Sequence, residues 1–301
     1  MTTRPVDLFD LPLLIKNRSS YIGLDSAKQL AHGTPLNFSG LVSRAIPINN
    51  LYTVIDSSAE PILGSIEHSH EKPSAKLSFL SSHSGHYDDR FIPLIEEMCA
   101  VAGKNGAFHI VAETVDNSQV LNLLRRTGFA VYSTQKICQV EPSSVEPGSC
   151  KWAKLDDAQR LDAKNLYEQI TPPMIQAIEP FNVCPGRLLA CNGSRVFAWI
   201  DEGKAGTVII PLVHPDEKNL ATLFSDLVID LKASGTPKIF FIIRSTMSWF
   251  EPIVTDLGGV EIRTERILVK HLVNFVLEKE TVKNAKAQRV TFLSSHIKRN
   301  D

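Results

Sequence analysis

The sequence predicts an α/β (α+β) protein made of two similar units in tandem, each a mixed, mostly antiparallel sheet flanked by helices. Three observations predict this fold class. Short β-rich runs alternate with amphipathic stretches along most of the chain. The order of these elements starts again after residues 141–150, a segment rich in Pro, Ser and Gly. A length of 301 residues also suits two domains of ordinary size.

In the first unit, two short helices precede a series of strands. Leu8, Leu11, Leu14 and Ile15 recur at helical spacing, and a second short helix begins at Asp25. The pattern then becomes that of short strands separated by turn residues, followed by a helix with a broad apolar stripe. The elements expected next are strands 41–46, 51–55, 62–66 and 75–80, helix 88–102, strand 108–112, helix 117–126 and strand 129–140.

After the linker the same order returns. The expected elements are helices 156–170 and 172–178, strands 188–191, 195–200 and 207–213, helix 219–233, strand 238–243, helix 248–257 and an extended segment 260–273. A repeat of this length indicates a duplicated domain rather than a solenoid. We therefore predict domains 1–140 and 151–276, a linker 141–150 and a C-terminal extension 277–301, with a separate sheet in each domain.

Composition and charge exclude several classes of function. The chain is 43% hydrophobic and carries a formal net charge of −1, which gives no electrostatic basis for binding nucleic acid or an anionic membrane. No apolar run approaches the roughly 20 residues that span a bilayer, and the N-terminus does not resemble a secretory signal. The five cysteines are odd in number and form no CxxC pair. The sequence thus predicts a cytoplasmic protein with reduced thiols.

One segment carries a resemblance to a known family. Residues 117–129 read Asn-Ser-Gln-Val-Leu-Asn-Leu-Leu-Arg-Arg-Thr-Gly-Phe. Asn117, Val120, Leu124 and Gly128-Phe129 stand where the GNAT (Gcn5-related N-acetyltransferase) family has Asn, Ala, Tyr and Gly-Phe. Asn117 can cap the helix, and Gly128 can adopt the left-handed conformation that ends it. Together with the repeated element order, this segment resembles two GNAT-like domains with degenerate acetyl-CoA motifs.

The resemblance implies an acyltransferase that moves an acetyl group from acetyl-CoA to a primary amine, with no metal. The amine would belong to a small molecule or a peptide. In the first domain, the backbone of Phe79, Leu80 and Ser81 would hold the pantetheine arm. The other cofactor-binding residues that the resemblance implies are His83, Gly85 and Arg90 near the pyrophosphate, and Asn117.

The sequence also departs from the family. Asp88 and Asp89 stand where the first domain should bind a diphosphate, and in the second domain Ala221 and Leu223 replace glycines of the phosphate loop after Lys218. The leaving-group Tyr of the family is replaced by Leu124 and, counting back from Gly258, by Val254. An alternative therefore stays open: a catalytically silent tandem GNAT-fold protein with a binding or structural role.

Catalytic residues are harder to assign. Glu67 and His83 are candidate general bases near the mouth of the predicted site, with a surface carboxylate and a loop histidine as the alternative. The pairs His68/His70 and His83/His86 precede and follow one predicted strand, roughly 20–25 Å long at about 3.3 Å per residue. Each pair alone supplies too few ligands for a closed metal site, so no metal is expected.

Overall fold

The structure is a computed structural model that describes residues 3–16, 20–34, 50–56, 58, 60–116, 118–141, 150–183, 186–191 and 195–272. The expected strand 41–46, most of the linker and the extension 277–301 lie outside the described residues, as does Asn117.

The N-terminal half contains seven strands and four α-helices among its described residues. Its strands are β1 (Thr3–Pro5), β2 (Tyr21–Gly23), β3 (Leu51–Asp56), β4 (Ile62–Glu67), β5 (Ser74–Ser82), β6 (His109–Val115) and β7 (Ala130–Val140). Its helices are α1 (Leu11–Lys16), α2 (Ser26–His32), α3 (Phe91–Lys104) and α4 (Gln119–Arg126), with a 3-10 turn at Leu8–Asp10.

The C-terminal half repeats this order with one strand fewer at its start. Its strands are β8 (Trp152–Lys154), β9 (Arg187–Cys191), β10 (Val196–Glu202), β11 (Thr207–Val213), β12 (Ile239–Arg244) and β13 (Gly259–His271). Its helices are α5 (Asp157–Ile170), α6 (Pro173–Ile178), α7 (Leu220–Ala233) and α8 (Glu251–Asp256), with 3-10 turns at Phe181–Val183 and Ser245–Phe250. The predicted mixed, mostly antiparallel α/β class is confirmed.

Each half gives its last strand to the other half. The strands follow one another in space as β1-β3-β4-β5-β6-β13-β7-β12-β11-β10-β9-β8, with β2 against β5. The last strand of the C-terminal half, β13, pairs with β6, and the last strand of the N-terminal half, β7, pairs with β12. Because β7 and β13 also pair with each other, the expectation of two separate sheets is wrong. The halves share one continuous sheet.

Local chemistry explains where the helices begin and end. The Asp25 carboxylate caps α2 by accepting from the Lys28 N–H, and Asp156 and Gln159 form a reciprocal capping box at α5. Gly128 has the predicted positive φ, +88°, after α4. The residue that caps α4 is Ser118, whose hydroxyl accepts from the Leu121 N–H, so the expectation that Asn117 would cap this helix is wrong.

Each half has its own hydrophobic core on the same face of the sheet. In the N-terminal half, α3 and α4 pack on β4, β5 and β6 through fully buried residues such as Phe91, Leu94 and Met98. In the C-terminal half, α7 and α8 pack on β10 to β12, with Phe224 and Phe250 as aromatic anchors. Helices α2, α5 and α6 lie on the other face, where the site described below is found.

The cysteines differ from the prediction of reduced thiols. Cys150 and Cys191 form a disulfide that ties the start of the C-terminal half to β9, with Cα atoms 6.0 Å apart. Cys99 is buried, and burial raises the pKa of its thiol to about 12, so it is not a nucleophile at neutral pH. Within the described part of the chain, no helix has both the length and the apolar character needed to cross a membrane.

Candidate functional site

In both halves, two parallel neighbouring strands separate along their length. β5 and β6 pair only through the three residue pairs from Ser74–His109 to Lys76–Val111. β11 and β12 likewise pair only from Thr207–Ile239 to Ile209–Phe241. Beyond these points, both strands of each pair continue and keep their outer neighbours. The sheet therefore contains two grooves, each bordered by strand edges that no longer pair with each other.

The groove of the N-terminal half is filled by the protein's own chain. The strand β2 pairs with β5, placing Tyr21, Ile22 and Gly23 opposite Ser81, Leu80 and Phe79. The next residue, Leu24, donates its N–H to the Ser78 carbonyl oxygen at 2.9 Å and accepts the Glu113 N–H at 2.9 Å. Leu24 thus bridges both borders of the groove. The side chain is 1% exposed and belongs to the core of this half.

Among the residues that the structure describes, the C-terminal half has no counterpart of this filling strand. In the N-terminal half, residues 17–25 separate α1 from α2 and include β2. In the C-terminal half, only Thr171 and Pro172 separate α5 from α6. Thr171 borders a cavity instead of crossing the groove.

This cavity, the inter-half cavity, has a volume of about 80 Å³ and lies where β11 and β12 separate. Its walls come from both halves. The groove strands contribute Ile210, Pro211, Leu212, Ile242 and Arg244, followed by Thr246. Helices α5 and α6 add Tyr167, Ile170 and Ile175, and the N-terminal half adds Lys76, Glu113 and Gln135.

Pro211 suits this place. A proline lacks the backbone N–H that a strand interior needs, so it is rare where a strand is paired on both sides. Pro211 pairs with Ala198 of β10 and lies beyond the last residue of β11 that pairs with β12. The separation of the strands therefore makes β11 a local edge at the point where the cavity begins.

The two helices that follow the grooves differ at their N-termini. At α3, the Asp88 carboxylate accepts the backbone N–H of Arg90 at 3.1 Å and also pairs with the Arg90 side chain. Asp89 pairs with Arg126. A carboxylate thus already takes the place that an anionic ligand would use at this helix.

At α7, the N-cap is Asn219, which has a left-handed φ of 58° and makes no side-chain capping hydrogen bond. Lys218 precedes it. Leu223, which replaces a glycine of the family's phosphate loop, lies one turn into the helix and packs against the core of its half. Among the described residues, the start of α7 therefore lacks the carboxylate contact that Asp88 makes just before α3.

A buried polar network reaches the inter-half cavity. Glu113 on β6 accepts the Ser26 N–H at 2.8 Å and the Gln135 side-chain amide at 3.2 Å, both at Oε2. The same amide donates to Glu265 Oε2 at 2.7 Å, and the Ser26 hydroxyl donates to Glu265 as well. Arg263 pairs with Glu265 at 2.8 Å. Glu113, Gln135 and Glu265 are each 3% exposed or less, and they join three strands from both halves.

Burial sets the protonation behaviour of this network. It disfavours the charged carboxylate and raises the pKa of Glu113 above its usual range, although the nearby Lys76 ammonium acts in the opposite direction. For Lys76, burial alone would lower the pKa. The attraction of Asp25 and Glu113 outweighs burial, and the Lys76 pKa lies above its usual range. Lys76 is therefore a permanent cation beside a carboxylate that binds a proton readily.

A second carboxylate of the cavity is fully engaged. Glu179, just after α6, accepts a hydrogen bond at Oε2 from Arg244 at 2.7 Å. Its Oε1 accepts from the Tyr132 hydroxyl. Burial, and then the Glu179 charge, raise the pKa of Tyr132, which therefore stays protonated as the donor. Both carboxylate oxygens of Glu179 accept a hydrogen bond. At Glu113, by contrast, both described hydrogen bonds go to Oε2.

The structure separates the residues that the sequence analysis grouped together. Phe79, Leu80 and Ser81 lie in β5 with their inner edge paired to β2. His83 and Gly85 lie in the exposed loop after β5, and Gly85 has a φ of +71°. Arg90 is held by Asp88 and Glu60. The cofactor role of these residues, and that of Asn117, stays a prediction, and cofactor binding in this groove would require β2 to leave it.

The two candidate bases lie at opposite ends of the β4–β5 pair. Glu67 of β4 lies opposite Lys76 of β5 at one end of this strand pair. His83 follows Ser82 of β5, which lies opposite Ile62 at the other end. Glu67 forms an ion pair with Lys28 in a cleft beside the inter-half cavity. His83 is on the far side, so one substrate cannot contact both residues.

Glu113 and Glu179 were not predicted from the sequence. Glu113 follows the apolar run Ile110-Val-Ala, which ends the expected strand at 112, but β6 continues to Val115. A charged residue inside a strand is a usable signal, because such a residue is rarely buried without a partner. Glu179 follows α6 directly and carries no local signal.

In both halves, the fourth and fifth main strands are parallel and part from each other, and a helix follows each of them. No family model and no curated protein matches the sequence.

Solved structures share the fold. A GCN5-related N-acetyltransferase from Sphaerobacter thermophilus has a TM-score of 0.55 and 11% identity, over 90% of this chain and 95% of that one. A tandem GNAT protein from the clavulanic acid biosynthesis pathway has a TM-score of 0.54 and 12% identity, over 90% of this chain and 98% of that one. The chain therefore has the tandem GNAT fold, as the resemblance in sequence predicted.

Proposed function

We propose that this protein is an N-acyltransferase that moves the acetyl group of acetyl-CoA to a primary amine, with the groove between β11 and β12 as the seat of the pantetheine arm. The observation that carries the proposal is the contrast between the grooves. The N-terminal groove accommodates one extended chain, Leu24, whose N–H and carbonyl bond to both borders. The C-terminal groove has the same borders and no such chain among the described residues.

A pantetheine arm fits such a groove because its two amides offer the same donors and acceptors as a peptide. In the C-terminal half, the edge of β11 beyond Ile209 would bind these amides. The pyrophosphate would lie near Lys218 and the N-terminus of α7, where the helix dipole favours an anion. This seat differs from the one that the sequence resemblance implies around Phe79 to Arg90.

The amine would react in the inter-half cavity, with Glu113 as the base. The Glu113 carboxylate takes one proton from the substrate ammonium, which leaves a neutral nitrogen as nucleophile. This nitrogen bonds to the thioester carbonyl carbon, and the carbon–sulfur bond breaks. The second proton of the nitrogen leaves with the sulfur, so the products are an acetamide and the CoA thiol. Holding both reactants in one cavity supplies much of the rate, because transfer then proceeds within one complex.

Titration with acetyl-CoA by calorimetry, on two matched variants, tests this seat. Thr246→Trp puts a bulky side chain at the exposed wall of the inter-half cavity, and His83→Trp does so in the exposed loop of the other half. We expect Thr246→Trp to weaken binding at least tenfold and His83→Trp to leave it unchanged. The reverse result would place the cofactor in the N-terminal half.

A silent tandem protein is the second candidate function. Leu124 and Val254, at the positions of the family's Tyr, are 0% and 1% exposed and belong to the two cores, so neither position offers a proton donor. Absence of acetyl-CoA binding at millimolar concentration, in protein that is folded by circular dichroism, would favour this candidate over the enzyme.

A further inference from the structure

A second, open cleft of about 210 Å³ adjoins the inter-half cavity. We call it the polar cleft. Both spaces are lined by Lys76 and Glu179, which stand between them. The polar cleft also lies between the halves: Asp25, Lys28, Glu67 and Lys72 come from the N-terminal half, and Asp201 from the C-terminal half. The two spaces therefore meet at Lys76 and Glu179, and we call the line from the polar cleft across these residues to the inter-half cavity the path.

The carboxylates of the polar cleft are all paired. Asp25 pairs with Lys76 at 3.4 Å, Glu67 with Lys28, and Asp201 with His32 at 3.1 Å. Glu179 pairs with Arg244 at 2.7 Å. Three of these carboxylates thus face a lysine or an arginine and the fourth faces a histidine, so each acidic group of the cleft already has a partner within the protein.

Lys72 differs from these groups. It is half-buried on the turn between β4 and β5 and lines the cleft, and no ion pair with another described residue engages its ammonium. An ammonium that borders a cleft without a carboxylate partner favours an anionic ligand group. At the other end of the path, Glu113 presents a carboxylate to the inter-half cavity.

We infer that the acceptor is a small amino acid-like molecule, whose carboxylate binds Lys72 in the polar cleft and whose amine reaches Glu113 in the inter-half cavity. The inference rests on the proposed function for the role of the amine, but the binding it describes does not require acetyl transfer. A ligand with both charges matches the two ends of the path. A simple amine matches only the Glu113 end, and a diamine places a second cation beside Lys72.

The test is a binding measurement by ligand-observed NMR on the full chain, with and without CoA. The probes are ω-amino acids of two to six carbons, each compared with the alkylamine and the diamine of the same length. The variants are Lys72→Met, Lys72→Glu and, as the control, Lys154→Met, which removes an exposed lysine of β8 outside the cleft.

We expect at least one ω-amino acid to bind tenfold or more tightly than its matched alkylamine. Lys72→Met should remove that advantage without changing alkylamine binding, Lys72→Glu should turn the preference toward the diamine, and Lys154→Met should have no effect. Equal binding of amino acid and alkylamine by the wild type, or equal weakening of both by Lys72→Met, would overturn the inference. If the amino acid shows no advantage over the alkylamine but acetyl-CoA still binds, this inference fails and the proposed function is unaffected. Amino acid binding without acetyl-CoA binding removes the proposed function and keeps the site.

Discussion

The backbone N–H of Leu24 donates a 2.9 Å hydrogen bond to the carbonyl oxygen of Ser78, the extra residue of a β-bulge in β5. This contact fixes the chain in the groove where β5 and β6 part. It makes the N-terminal groove a part of the folded core, whereas the C-terminal groove opens on a cavity.

Truncation of Leu24 should therefore lower the free energy of unfolding as much as truncation of any other core leucine. Leu24→Ala removes a side chain that is 1% exposed, and we expect the free energy of unfolding to fall by about 3 kcal/mol in urea titrations. Leu161→Ala, at a leucine that is 58% exposed, should change it by less than about 0.5 kcal/mol. Equal effects of the two variants would show that the groove is not filled in solution.

Glu113 should control the pH dependence of acetyl transfer. Because burial raises its pKa, the rate should increase with pH through a value above the ordinary Glu pKa of about 4.3, as the carboxylate loses its proton. Glu113→Gln should remove this increase of the rate with pH and lower kcat by about 10²- to 10⁴-fold. Glu168→Gln, at an exposed position of α5, is the control. A Glu113→Gln enzyme with an unchanged profile would exclude Glu113 as the base.

The same shift predicts an effect on stability. A carboxyl whose pKa is higher in the folded state contributes most below its ordinary pKa, and the contribution is lost as the pH rises through the folded value. The free energy of unfolding of Glu113→Gln, relative to the wild type, should thus increase between pH 4 and pH 8. Urea titrations at four pH values measure it, and a difference that falls with pH would contradict the assignment.

An alanine at Gly64 should fit only if the ends of two packed side chains move. A Cβ at Gly64 would lie 2.7 Å from Met98 Cε and 2.9 Å from Leu94 Cδ2, where α3 packs on β4. We expect Gly64→Ala to lower the free energy of unfolding by about 1–3 kcal/mol. Because Met98 makes the closest contact, Met98→Ala should lower the free energy of unfolding less in the Gly64→Ala background than in the wild type. Additive effects would place the strain elsewhere.

The disulfide should stabilise the C-terminal half. Cys150 and Cys191 close a loop with a sequence separation of 41, and the chain-entropy model gives about 4 kcal/mol for such a loop. Addition of reductant should therefore lower the midpoint of urea unfolding of the wild type but not of Cys150→Ser. An unchanged wild-type midpoint would show that the two thiols are not joined in solution.

The sequence predicted most helices and strands to within a few residues, because the local pattern was clear at those positions. Thr207–Val213 is an example: an apolar run between Gly206 and the turn at His214-Pro215 became β11 with the expected bounds. The short strand Tyr21–Gly23 was missed because three residues carry no alternation. Its role depends on the edge of β5, which is far away in sequence.

The candidate site was less predictable than the fold. The family motif directed attention to the loop from His83 to Arg90, whereas the cavity depends on residues from both halves. Gln135 and Glu265 meet only because β7 and β13 of different halves pair with each other, and no local pattern encodes which strand is the partner of another. Periodicity specifies the face of a strand that is buried, not the strand beside it.

The reciprocal placement of β7 and β13 has a consequence for the history of the chain. A protein encoded by either half alone would leave β6 or β12 without its present neighbour, and two copies of such a protein could complete each other by trading their final strands. The present chain has the form of that dimer with its subunits fused. Within this arrangement the two grooves are not equivalent, because Leu24 occupies one and the other opens on a cavity.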